Sequence, residues 1–89
     1  MQMRASHILV KTEPEARAIL KQLSAGVSFE LLAKKFSSCP SKAQGGDLGV
    51  FSQGEMVPAF EKATIALKTG QTSQPVQTEF GWHLIKRTG

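Results

Sequence analysis

A chain of 89 residues is long enough for one small domain with a single core and leaves no room for a second. With 40% apolar and 20% charged residues, its composition is that of an ordinary globular domain and excludes a disordered one. The net charge of +4 comes from 11 basic residues scattered among 7 acidic ones, which argues for a solvated surface and against a specific nucleic-acid footprint.

In chain order, Ser6-His7-Ile8-Leu9-Val10 is an apolar, β-branched run of strand length that Lys11 ends at a turn. Thr12 and Glu15 have the spacing of a capping box around Pro14. Ala16, Ile19, Leu20 and Leu23 then recur at helical intervals until Gly26 offers a stop. Ser28 can cap a second helix, in which Phe29, Leu32, Ala33 and Phe36 share an inward face while Lys34 and Lys35 point out. Residues 37–46 read as a loop with one short helical turn, and Cys39 sits in it.

Residues 44–60 organise the rest. Gly45, Gly46 and Gly49 permit positive φ and close backbone approach. A short strand around Val50 and Phe51 follows, and Pro58 opens a helix with Phe60, Ala63, Thr64 and Leu67 on one face, ended by Gly70. Met56 and Phe60, four residues apart, can meet at its start and with Leu48 and Phe51 form either an apolar concavity or ordinary core. Residues 73–78 read as a short strand whose Pro75 suits an edge or a first position. Trp82-His83-Leu84-Ile85-Lys86 closes the chain, with His83 and Ile85 on one face and Trp82 and Leu84 on the other. The element order and short loops make this an α+β domain with helices packed on a small antiparallel sheet, occupying residues 1–89.

Both histidines fall in the best-patterned strands, as an adjacent pair or as two unrelated core residues. His7, Cys39 and His83 lack the fourth position and close spacing of a zinc site, and a Cys–His nucleophilic pair is only chemically possible. No metal or cofactor is expected. A lone cysteine forms no intrachain disulfide and fits a reducing compartment. There is no apolar run of about 18 residues and no signal-peptide h-region. The chain therefore reads as cytoplasmic and without membrane insertion.

Three segments carry more specific information: Ser6-His7-Ile8-Leu9-Val10-Lys11; Gly46-Asp47-Leu48-Gly49-Val50-Phe51 with Met56-Val57-Pro58-Ala59-Phe60; and Glu79-Phe80-Gly81-Trp82-His83-Leu84-Ile85-Lys86. In this order they closely resemble the parvulin family of peptidyl-prolyl cis-trans isomerases across essentially the whole chain. The resemblance implies an FKBP-like fold, a four-stranded antiparallel sheet with about four helices and the first and last strands central. It implies a catalytic polar set of His7, Cys39, Thr78 and His83, with the two histidines adjacent beneath a cleft. It also implies a substrate pocket of Leu48, Met56 and Phe60, with Phe51 beside it. The expected activity is rotation about X-Pro bonds in peptides and in unfolded or flexible protein segments, by a monomer that assists folding. The alternative is a non-catalytic module that binds extended proline-containing segments. Phosphate-selective parvulins carry a basic loop after the first strand; here only Lys11, Thr12 and Glu13 stand there, which places the chain in the non-phospho-specific branch.

Overall fold

The structure, a computed structural model, describes residues 2–89. Strand β1 (Gln2–Val10) leads to helices α1 (Glu13–Ser24) and α2 (Phe29–Phe36), then to a 3₁₀ helix (Pro40–Gln44). Strand β2 (Asp47–Ser52), helix α3 (Pro58–Ala66) and strands β3 (Val76–Thr78) and β4 (Gly81–Arg87) follow. The strands form one antiparallel sheet in the order β2-β1-β4-β3, so the first and last strands are the central pair. This is the expected α+β architecture, with three α-helices and one 3₁₀ helix.

Period-two alternation along the central strands sorts the interior into two cores. Ile8, Val10 and Leu84 pack with Ala16 and Ile19 of α1 and with Phe29, Leu32 and Ala33 of α2. Met3, Ala5 and Ile85 pack with Phe51 and Phe60 on the other side. Leu84 and Ile85, neighbours in sequence, thus serve opposite faces, and burial of each stabilises the fold by about 1.5–3 kcal/mol. The expected caps are in place. Thr12 Oγ1 accepts the Glu15 N–H at 3.4 Å and Ser28 Oγ accepts the Leu31 N–H at 3.1 Å, each worth about 1 kcal/mol.

Several boundaries differ from the sequence expectation. β1 begins at Gln2 rather than at Ser6, because Gln2, Met3 and Arg4 pair with Ser52, Phe51 and Val50 of β2. Phe36 does not join the core. It is the last residue of α2, is 40% exposed, and stacks under Lys35, whose Nζ lies 5.4 Å from the ring centroid. Helix α3 ends at Ala66, with Leu67 as its cap, and Gly70 instead donates its N–H to the Arg87 carbonyl at 2.7 Å. The edge strand is only three residues long. Ahead of it Ser73 ties to β4 by one residue, its N–H donating to the Ile85 carbonyl at 2.7 Å and its Oγ accepting the Ile85 N–H at 3.0 Å.

Candidate active site

The central pairing determines where the histidines meet. Leu9 faces His83 and His7 faces Ile85 across β1 and β4, so His7 and His83 are diagonal neighbours on one face of the sheet. Their Nδ1 atoms lie 3.0 Å apart. His83 Nε2 lies 2.7 Å from Thr78 Oγ1, which also accepts the Phe80 N–H at 3.2 Å. One Nδ1 carries the shared hydrogen and the other accepts it. In either arrangement His7 Nε2 is buried with no hydrogen-bond partner among the described residues. The two residues are 5% and 4% exposed. Burial, reinforced by the neighbouring His83, pushes His7 down to about 4, and burial alone pushes His83 down. The pair is neutral at pH 7.

Beyond Ser6, β1 pairs with loop backbone and a side chain instead of with β2. The His7 N–H donates to the Gly46 carbonyl at 2.9 Å and the Ser38 N–H to the Leu9 carbonyl at 2.8 Å. Buried Ser37 closes the set, its Oγ accepting from the N–H groups of Leu9 at 3.0 Å and of Cys39 at 3.3 Å. This clasp holds Cys39 beside the histidine strand. The approach at Gly46 requires glycine, since φ is +87° and an added Cβ would stand 2.4 Å from the His7 carbonyl oxygen.

Above the histidines opens a cavity of about 500 Å³, a size suited to a small ligand or a few peptide residues. Its lining includes His7, His83, Cys39, Leu48, Met56 and Phe60, six of the eight residues expected at the site. Phe60 stands edge-on to both imidazoles, with centroids 5.6 Å from His7 and 5.5 Å from His83. The other two differ. Thr78 does not line the cavity; its Oγ1 instead holds two residues that do, His83 and Phe80. Phe51 is 2% exposed and packs behind Phe60 at 6.2 Å, because the side chain alternates onto the core face of β2. Met56 lines the cavity from the turn before α3 and not from the helix itself. Sequence reasoning missed Leu9, Ser38, Pro40, Glu55, Val57 and Phe80 as lining residues. Leu9 was detectable in principle, since it shares the face of His7 by alternation.

Comparison with known proteins places this geometry. The family description "Rotamase: PPIC-type PPIASE domain" matches residues 7–89. The chain belongs to that family, the parvulin-type peptidyl-prolyl isomerase domains. It is 54% identical to the foldase protein PrsA 2 of Bacillus anthracis over 89 residues, and the solved peptidylprolyl isomerase PrsA of that organism superposes with a TM-score of 0.97. The parvulin of Nitrosopumilus maritimus, 44% identical, superposes with a TM-score of 0.88 over 99% of this chain and 96% of its own. The chain spans about a third of the length of the curated foldases it matches, 31% of the Bacillus anthracis protein.

Two measurements follow from this geometry. Gly46→Ala, at φ +87° and against a backbone oxygen, should destabilise more than Gly26→Ala, which at φ +99° meets nothing within 4 Å; the backbone strain alone costs about 1–3 kcal/mol at either position. Denaturant unfolding of both variants checks the order. The second concerns pH. An unfolded histidine takes up its proton near pH 6.5, whereas folded His7 does so only at about 4. The unfolded state therefore binds more protons between these values, and stability is full above about pH 6.5 and lost as pH falls toward 4. Between pH 7 and 4.5 the parent should lose roughly 2–3 kcal/mol from His7. Unfolding free energies of His7→Leu across the same range should show a smaller loss.

Proposed function

We propose that this chain is a peptidyl-prolyl cis-trans isomerase that acts on X-Pro bonds in flexible or unfolded polypeptide segments. The observation that carries the reading is an apolar cavity large enough for a proline and its neighbouring residues, lying directly on a neutral histidine pair. Membership of the parvulin family supports it. Rotation about an amide faces a barrier of about 18–20 kcal/mol and proceeds unaided in tens to hundreds of seconds. Turnover at 1 to 10³ per second requires removal of only about 3–7 kcal/mol. No covalent bond breaks. The twisted transition state loses amide conjugation, so a dry pocket that clamps the ring favours it over either planar state.

In this reading Leu48, Met56 and Phe60 hold the ring and exclude water, and Phe51 keeps Phe60 in place from behind. Cys39 is the polar neighbour of the substrate carbonyl. His7, His83 and Thr78 form the rigid base of the site and make no proton transfer to the substrate. The single free thiol supports a reducing, cytoplasmic setting, and the enzyme works as a monomer.

A protease-coupled assay on a short proline peptide tests the activity; binding without turnover would favour a peptide-holding module. Among variants confirmed to be folded, Phe60→Ala should lose more kcat/KM than Cys39→Ala. An inactive Cys39→Ala beside an active Phe60→Ala would point instead to covalent catalysis. Neither Lys11 nor Lys42 lines the cavity, and a dianionic phosphate needs several cationic donors to be preferred. Peptides with phosphoserine before proline should therefore turn over no faster than their leucine counterparts, and a more than tenfold advantage would overturn this expectation.

A further inference from the structure

The charge lining the cavity is opposite in sign to the charge of the chain. The lining holds one carboxylate, Glu55, and no Lys or Arg, while its two histidines are kept neutral by burial. The chain as a whole carries +4. The carboxylate is anchored: Glu55 Oε1 accepts the Ser52 N–H at 2.7 Å in the turn between β2 and α3, which leaves Oε2 for an incoming donor. Among the described residues no cation pairs with it, the ion pairs being Arg4–Asp47 and Arg17–Glu13. Glu55 also directly precedes Met56, a wall of the same cavity, so a residue flanking a bound proline passes within reach of it.

We infer that Glu55 determines specificity, selecting proline segments with Lys or Arg beside the X-Pro bond and disfavouring acidic or phosphorylated ones. The inference rests on the isomerase reading and names its substrate class. Screening decides between the two opposed charges. At physiological ionic strength the Debye length is about 8 Å, so the scattered surface cations contribute little at a bound peptide, whereas Glu55 lies in the lining itself. An exposed ion pair of this kind corresponds to roughly a two- to fivefold preference.

The test uses two peptide series, with Lys, Ala or Glu placed first before and then after the proline. kcat/KM is measured at about 0.15 M ionic strength for the parent, Glu55→Gln, Glu55→Lys and Glu15→Gln. Glutamine keeps an oxygen for the Ser52 N–H, and Glu15 is an exposed carboxylate on α1, away from the cavity lining. In at least one series the parent should prefer Lys over Glu by roughly two- to fivefold. That ratio should fall to near one in Glu55→Gln, reverse in Glu55→Lys and stay unchanged in Glu15→Gln. A ratio identical in the parent and both Glu55 variants, or one that shifts equally in Glu15→Gln, overturns the proposal. Failure of the parent to turn over the Ala peptides would overturn the isomerase reading and this inference with it.

Discussion

The antiparallel register between β1 and β4 is the constraint on which the site depends. Because His7 faces Ile85 and Leu9 faces His83, the two imidazoles share one face and come within a hydrogen bond of each other. A slip of one residue would turn every side chain of β4 to the opposite face, moving His83 and Ile85 into the core beneath α1 and α2 and exchanging them for Leu84. The two cores guard against that slip. Leu84 is fully buried on one side and Ile85 on the other, so any shift puts two large apolar side chains in the wrong environment at once. The chemistry of the site is thus held in place by side chains that take no part in it.

The same economy explains the loop that carries Cys39. β1 is a central strand, yet past Ser6 its outer edge has no partner strand, and its backbone groups there need other partners. Gly46 supplies a carbonyl, Ser38 an N–H and Ser37 a hydroxyl. Satisfying the strand and positioning the loop are therefore one event. Glycine is needed at 46 because the loop must come closer to His7 than any side chain permits. Phe60 completes the enclosure with its edge toward both imidazole rings and its back against Phe51, which keeps the pair dry enough to stay neutral.

Much of this was legible in the chain because local rules and tertiary packing agree. The Thr12 and Ser28 caps, the helical spacing of Ala16 and Ile19, and the alternation from His83 to Ile85 all appear where the pattern puts them. What escaped depends on neighbours distant in sequence. Nothing local indicates that Gln2–Arg4 would continue β1, because β2 supplies their partners. Phe36 has the right spacing for the core but lies at the end of its helix, where the face has run out of sheet to cover. Phe51 and Phe60 are equivalent as apolar residues in a motif; only the pleat of β2 sends one behind the other. Glu55 and Phe80 stand in the connections before α3 and β4, and their place at the cavity follows from how those connections fold over it.

The proposed isomerisation breaks no bond, and that changes what the site must provide. A hydrolase needs a nucleophile, a base and donors aimed at an oxyanion, each with a tuned proton affinity. Here the titratable groups at the base of the cavity are shifted away from proton exchange at neutral pH. Such a pair is poorly suited to acid–base work and well suited to being rigid. Its hydrogen bonds run from β1 through β4 to β3 and the following turn, by way of Thr78 and the Phe80 N–H, and so lock three strands beneath the cavity. A twisted imide is stabilised by walls that do not yield to the planar form.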